Sequence, residues 1–535
     1  GLTQDEYWIR SVKRIASGKV HNSHCLLVFL HRGWCHPAEL CVLQSGSSIH
    51  PGSIHGRFHL RPEPLADPAR TTFACMTLVQ RLLVLAGSVA ALRIFVLWLT
   101  PTDLFFDEAQ YWAWSQNIDW GYFSKPPLIA WVIRIATEIG GSDAPFWVRI
   151  AAPIFHSLTA VILGLWVGEV KPAAAIWAAA IYLSMPILAV GSWMISTDTV
   201  MAPFLAGALW AWWRHLHTGS LNAALVAGLL VGLATLAKYA GAYFWLIVVV
   251  NVLFGGARPR PPGVLLAIAT FGLVISPNMI WNLQNGFITF AHTAENASWD
   301  AGINFNWTSM MEFVAAQVMV FGPVMFIFWL AALGFRKSRF DTFLICGSLP
   351  ILLLVTGQAF ISQAYANWAF AAYLSAAPLV AISLVRSERR TWLRAGLALN
   401  VAISIVAVAL IVAPRLSPPI MDRYLGRDAL MDALIQTADG RAMAATERQL
   451  LADLTYAATR DGRGGQVFAF ERNEPATNWY EMNAERPTST PVLLITQGAG
   501  PVCGSGPAQL EGVARPQSGA YLGREFFLFS VPAGC

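Results

Sequence analysis

Phe106-Asp107-Glu108-Ala109-Gln110-Tyr111-Trp112 runs on to Gly121-Tyr122-Phe123-Ser124-Lys125-Pro126-Pro127. An apolar stretch precedes this segment and a long series of others follows it. Two adjacent carboxylates and a lysine therefore sit at the edge of what reads as a membrane domain. Ionisable groups at a bilayer are costly and usually functional. The segment reads as an external catalytic loop between membrane helices.

Composition agrees with a membrane protein. The chain has 535 residues, 56% hydrophobic and 13% charged, against about 25% charged in soluble domains. Its 22 Trp and 30 Phe suit aromatic belts at two interfaces. The formal charge of +5 is dispersed between apolar segments, so no nucleic-acid partner is expected. Seven Cys are too scattered for a disulfide scaffold.

A spanning helix needs about 20 apolar residues. Eleven candidates follow: 77–99, 146–168, 173–191, 198–214, 221–237, 240–254, 263–281, 313–334, 342–358, 366–385 and 392–413. The fourth and sixth are short. With a cytoplasmic N-terminus, the cytoplasmic loops hold Lys171, Arg214, Arg258, Arg260, Arg336, Lys337, Arg339, Arg386, Arg389, Arg390 and Arg394. The opposite face holds Lys125, Arg134, Arg149 and Lys238. This positive-inside bias puts Asp107, Glu108 and everything after about residue 414 on the outer face of the membrane. Residues 107–117 and 126–140 read as two helices, the second opened by Pro126-Pro127, and both suit the interface plane.

The fold expectation is a mainly α, polytopic membrane protein with a small C-terminal α/β periplasmic domain. Its parts are a transmembrane catalytic domain at 76–413 and a soluble domain at 414–535. In the latter, Thr446–Thr459 has helical spacing, and Gln466–Phe470, Val492–Thr496 and Glu525–Val531 read as strands. Cys503 and Cys535 either pair there or remain thiols. Residues 1–75 do not match the rest. They begin with Gly, contain no Met, and hold seven of the eleven His. The expectation is a non-native or disordered extension before a start at Met76. The alternative is a metal site from His21, His24, Cys25, Cys35, His36 and Cys41, whose spacing does not fit a zinc finger.

The loop supplies parts for one kind of chemistry. A lipid-linked sugar presents its phosphate at headgroup level. An enzyme using it needs cations for the leaving phosphate and a carboxylate to deprotonate an acceptor hydroxyl. Two carboxylates can divide the work of base and orienter. Each residue also has a plain structural reading. Asp107 and Glu108 can cap or charge a helix start, as can Asp198. Lys125 and Lys238 can snorkel. Arg149 can anchor headgroups, and His292 can be an ordinary loop histidine. Tyr365 and Asn367 either contact sugar hydroxyls or start a helix.

The chain also resembles a family. The motifs are Phe106–Trp112, Tyr122–Leu128, Leu236-Ala237-Lys238-Tyr239, Ser276–Phe287, His292-Thr293-Ala294-Glu295-Asn296 and Ala364-Tyr365-Ala366-Asn367-Trp368. Together they look like the bacterial branch of protein-mannosyltransferase-like glycosyltransferases. That branch has the GT-C fold and includes aminoarabinose and rhizobial galacturonosyl lipopolysaccharide transferases. The resemblance covers roughly 76–500. It implies inverting transfer from a polyprenyl-phosphate sugar to a lipid or glycan hydroxyl, such as lipid A or lipopolysaccharide core, among membrane lipids. Asp107 would match the family's catalytic aspartate, Glu108 its acidic neighbour, the second catalytic candidate, and Lys125 the lysine that contacts donor phosphate. From their own positions at the outer face, Arg149 and Lys238 are further candidate donor-phosphate ligands. Tyr111, Trp112, Tyr122, Tyr365 and Asn367 would line the substrate site. His292 and Glu295 would contribute to any divalent metal site. The rival reading is a secondary transporter or flippase. It expects ionisable groups near the midplane and internal repeats, whereas here the charges gather at one face.

Overall fold

Helix starts and stops follow the local chemistry of the chain. Thr77 opens α1 (Leu78–Trp98) with a capping box, accepting from the Gln80 amide while the Gln80 side chain takes the Thr77 amide. The short α2 (Phe106–Gln116) and α3 (Leu128–Gly140) come next, and Gly141 ends α3 in the left-handed conformation at φ 58°. Pro145 starts the one-turn α4 (Pro145–Arg149), which leads into α5 (Ala151–Val170). α6 (Pro172–Ser184) and α7 (Ile187–Gly191) follow. Ser196 caps α8 (Thr197–Thr218), and Ser220 caps α9 (Leu221–Ala237). Then come α10 (Tyr243–Leu253), α11 (Pro261–Gln284) and α12 (Ile288–Asn296). α13 (Trp307–Phe321) and α14 (Pro323–Leu333) meet at a 105° bend, where Gly322 takes φ 95° and Pro323 restarts the helix. α15 (Arg339–Ile361), α16 (Tyr373–Arg386) and α17 (Arg390–Val412) complete the bundle. This computed structural model describes residues 76–298, 305–334, 337–416, 418–471, 476–483, 487, 489–503 and 506–535. The expectations for residues 1–75, and for Arg336, lie outside the described residues.

α8 and α16 are buried on nearly all sides and form the centre of the bundle. α1, α11 and α17 are exposed along most of their apolar length, with Leu83, Leu92, Leu265, Leu273, Ile405 and Val406 on the outside. Helices with such surfaces require a hydrocarbon solvent. Each of the eleven sequence candidates contains a helix or a broken helix pair. Among the described residues, six helices are long and apolar enough to cross a membrane, or seven if the bent α13–α14 pair is one span. α6, α9 and the α10 region are shorter apolar helices. The count of eleven crossings is therefore not a property of helix length and composition alone.

The C-terminal segment builds α19 (Arg427–Ala438) after a one-turn α18 (Pro418–Met421), then α20 (Arg448–Arg460) and α21 (Trp479–Asn483). These pack around a five-stranded sheet of β1 (Ala442–Ala445), β2 (Val467–Ala469), β3 (Val492–Thr496), β6 (Gln509–Ala514) and β7 (Phe526–Val531). The strand order is β2-β1-β3-β7-β6. β1 runs parallel to β2 and β3, whereas β7 is antiparallel to β3 and β6. β4 (Val502–Cys503) and β5 (Gly506–Pro507) form a separate ribbon. Cys503 is disulfide-bonded to Cys535, which resolves the two alternatives left open by the sequence.

Candidate active site

α2 is held at both ends. Its N-terminus is fixed by Glu108, whose carboxylate accepts from the Phe105 amide at 3.1 Å, three residues back. The same carboxylate accepts from Arg149 Nε at 2.9 Å and Nη2 at 2.7 Å, and from the Ile195 amide at 3.1 Å. Arg149 also donates to Thr102 Oγ1 at 3.1 Å and the Asp103 carbonyl at 2.7 Å. Both side chains are 1% exposed. Arg149 is thus spent inside the protein, and the expectation that it binds donor phosphate is corrected. Glu108 likewise faces Arg149 and backbone amides rather than a substrate space, which corrects its expected catalytic role. The pair ties α2 to α4 and to the turn before α8.

Asp107 differs from its neighbour. It is 39% exposed, and its Oδ1 accepts from Arg448 Nη2 at 3.1 Å. Arg448 opens α20 in the C-terminal segment and also donates to Gln110 Oε1 at 2.8 Å. Its guanidinium lies 4.8 Å from the centre of the Phe106 ring. Among the described residues, Oδ2 of Asp107 has no partner.

The loop after α2 presents Lys125. Its backbone is pinned from α11 and α12: Asn278 donates to the Trp120 carbonyl at 2.7 Å and Thr289 to the Tyr122 carbonyl at 2.8 Å. A Cβ on Gly121 would run into the Trp281 ring, so only glycine lets the loop lie this close to α11. Burial first, and then Lys238, push the Lys125 ammonium below its ordinary value, while Asp107 opposes the shift. No carboxylate among the described residues forms an ion pair with it. Lys238 is different. It donates to both oxygens of Asp198 at 2.7 and 2.8 Å, and Asn367 donates to Asp198 Oδ2 at 2.7 Å. Ser196, not Asp198, caps α8. Asp198 instead holds Lys238 and Asn367 together.

Trp112 and Tyr122, expected to line a substrate site, are packing residues. Trp112 is fully buried, donates to Asp143 Oδ1 at 2.8 Å and meets Tyr456 edge-on. Tyr122 stacks on Trp114 and donates its hydroxyl to backbone carbonyls of Trp114 and Asn117. α2 therefore lies between the helical bundle and the C-terminal segment. Tyr111 is buried, and burial together with Asp107 holds its hydroxyl well above the ordinary value, so it stays protonated. Tyr365 is 60% exposed and free to contact a ligand.

His292 is half-buried against Phe123, and desolvation, Lys125 and Arg448 push it down to about 4, so it is neutral at pH 7. Its Nδ1 is 3.7 Å from Glu295 Oε2. Among the described residues, no group of three His, Cys, Asp or Glu side chains gathers to hold a metal ion. Two donors beside two cationic side chains do not fit a divalent ion, so no step below uses one. A recess of about 1190 Å³ lined by Glu169, Trp210, Arg214 and His217 lies at the other end of α8 from Asp198. α8 spans about 33 Å, so this recess is remote from Asp107.

A polar, charged site on a bundle of apolar helices is the arrangement of a membrane enzyme working at the bilayer surface. The comparisons make the class specific. Residues 124–281 match the family described as dolichyl-phosphate-mannose-protein mannosyltransferase. The chain is 36% identical over 463 residues to the lipid A galacturonosyltransferase RgtD of Rhizobium johnstonii, covering 83% of this chain and 96% of that one. The solved structure of ArnT from Cupriavidus metallidurans in the apo state matches with a TM-score of 0.57 at 15% identity, over 86% of this chain and 98% of that one. The same protein bound to undecaprenyl phosphate matches with a TM-score of 0.57 at 14% identity, over 84% and 97% of the two chains. The chain belongs to the protein-mannosyltransferase-like family of GT-C glycosyltransferases. It is a multi-pass membrane glycosyltransferase, and the transporter reading is set aside.

Proposed function

We propose that the protein transfers a glycosyl group from a polyprenyl phosphate to a hydroxyl of lipid A at the periplasmic face. The likeness to RgtD makes galacturonosyl the first donor sugar to try. The observation that carries the reading is that Asp107, one oxygen anchored and one open, acts electrostatically on Lys125, which has no ion pair among the described residues. Asp107 Oδ2 takes the proton of the acceptor hydroxyl. The acceptor oxygen bonds to the anomeric carbon, and the bond from that carbon to the phosphate oxygen breaks with inversion. The phosphate leaves with the electron pair, and Lys125 stabilises its charge. Lys238, held by Asp198 and Asn367, sets the electrostatics beside Lys125. Tyr365, exposed beside Trp368, offers a ring for a sugar face. Under this reading residues 76–413 carry the reaction in eleven crossings, and residues 414–535 lie in the periplasm. The Cys503–Cys535 disulfide supports an oxidising side for the C-terminal segment.

The test is transfer by purified protein in lipid, with a panel of polyprenyl-phosphate sugars and lipid A as acceptor, read by product mass. Mass added by the glycosyl unit supports the reading; no product with any donor overturns it. Lys125→Ala should lower kcat/KM for the donor by about 30-fold, equivalent to about 2 kcal/mol for a lost charge-assisted hydrogen bond. A Lys125→Ala enzyme with unchanged donor kinetics removes Lys125 from the site. The pH profile gives a second check. A cation with a lowered pKa is charged below that value and loses charge as pH rises through it. The alkaline limb of kcat/KM should therefore fall below the 10.5 of an ordinary lysine, and Lys125→Ala should abolish it.

A further inference from the structure

We infer that Arg448 is a positioning residue of the active site, and that the C-terminal segment reaches back over the membrane bundle to orient the catalytic carboxylate. The inference rests on the reading of Asp107 as the base.

Arg448 and Asp107 are separated by 341 positions in the chain. The guanidinium nevertheless makes a fork. Nη2 donates to Asp107 Oδ1 at 3.1 Å, and Nη1 donates to Gln110 Oε1 at 2.8 Å, three residues further along the same helix. Two donors fixed in one plane set the direction of α2's first turn relative to α20. The Phe106 ring beneath the guanidinium, at 4.8 Å, restricts it further. The anchored Oδ1 fixes the carboxylate plane, which leaves Oδ2 as the oxygen open to an acceptor proton.

The base of Arg448 is itself rigid. α20 packs along α2, with Tyr456 edge-on to Trp112 and its hydroxyl donating to the Asp143 carbonyl at 2.7 Å. Asp453 of α20 accepts from Arg427 and from Tyr521 at 2.6 and 2.7 Å. Asp103, just before α2, accepts from the Arg427 amide at 2.8 Å. The C-terminal segment is thus bolted to both flanks of the Asp107 turn.

Charge gives an independent argument. Arg448 is 34% exposed, so it is not sealed within the interface. Its charge is felt at Lys125 and at His292 as well as at Tyr111. Lys125, Lys238 and Arg448 stand against Asp107 and Asp198, which leaves one net positive charge. That favours the extra negative charge that builds on the departing phosphate in the transition state, an effect read in kcat. Without Arg448 the same cluster would be neutral.

The experiment compares wild type, Arg448→Ala, Arg448→Lys and Arg515→Ala in the lipid transfer assay, after each is shown to keep the wild-type melting temperature. Arg515 pairs with Glu525 on the surface of the same segment and serves as a control for an altered C-terminal charge. Arg448→Ala should lower kcat by about tenfold or more, because small misplacements of a reacting group are costly. KM should change less. Arg448→Lys should recover part of kcat, since an ammonium can reach one partner of the fork but not both. Arg515→Ala should match wild type. A folded Arg448→Ala enzyme with wild-type kcat overturns the inference, as does a loss confined to KM or a Lys variant no better than Ala. If Arg448→Ala melts early, Gln110→Ala replaces it: that variant frees one arm of the fork without stranding a charge, and should lower kcat in the same sense. An unchanged kcat there overturns the inference too. Wild-type protein that transfers no sugar overturns the functional reading instead, so the two failures are distinct.

Discussion

Asp107→Asn is expected to reduce kcat by about 10³-fold, within the range by which a positioned general base accelerates a proton transfer. The substitution is close to isosteric. Its carbonyl oxygen can still accept from Arg448, so α2 should keep its place beside α20. What is lost is the proton acceptor at the second oxygen, where asparagine presents an N–H donor. Donor KM should therefore stay near wild type, because under the proposed reading the phosphate is held by Lys125 and not by Asp107. Single-turnover measurements with donor in excess separate this from slow product release. The melting temperature should also stay near wild type, since Asp107 is half-exposed and its ion pair with Arg448 is solvent-screened. A kcat equal to wild type in the folded Asn variant would remove Asp107 as the base and move attention to the remaining carboxylate of the cluster, Asp198.

Much of this architecture could be read from the chain because its causes are local. Each of the eleven apolar segments contains helix, and Pro145, Pro172, Pro261 and Pro323 mark four starts where the missing N–H costs nothing. Asp107 and Lys125 stood out because charge beside apolar segments is rare. The misassignments have one cause: partners distant in sequence. Arg149 looked like a phosphate ligand because nothing in its own neighbourhood shows that Glu108 neutralises it, 41 residues away. Trp112 and Tyr122 looked like sugar platforms because the sequence does not show that a later segment covers Trp112 on its short helix, or that Tyr122 in the following loop stacks on Trp114. Arg448 carried no signal at all, as a cation on an amphipathic helix otherwise typical of a soluble domain. In the C-terminal sheet, β3 and β7 were legible from their β-branched and aromatic content. β1, Ala-Met-Ala-Ala, has no strand propensity and is formed by pairing between β2 and β3. The 105° bend at Gly322 divides what reads as one continuous apolar span.

Arg149→Ala should destabilise the folded protein by about 3–5 kcal/mol, the cost of breaking a buried ion pair from one side. The substitution leaves the Glu108 carboxylate 1% exposed, with the amides of Phe105 and Ile195 as its remaining donors. It also removes the Arg149 donor from the Asp103 carbonyl and leaves the Thr102 hydroxyl with Trp193 Nε1 alone. The expected result is a large fall in melting temperature in detergent and poor recovery of folded enzyme. Glu108→Ala should act in the same direction, because it leaves the guanidinium unpaired. The double variant Arg149→Met with Glu108→Met should be less unstable than either Ala variant, since apolar residues of similar volume avoid the desolvation cost altogether. This pattern separates a structural clamp from a phosphate site. A phosphate ligand at Arg149 would give a protein that melts like wild type and loses donor affinity alone. If Arg149→Ala proves stable and only its donor KM rises, the clamp is disproved and Arg149 belongs with Lys125. If stability collapses and the double Met variant restores it, the pair holds the turn that carries Asp107. Whatever transfer the double variant retains then measures how far that turn depends on the pair for its catalytic geometry.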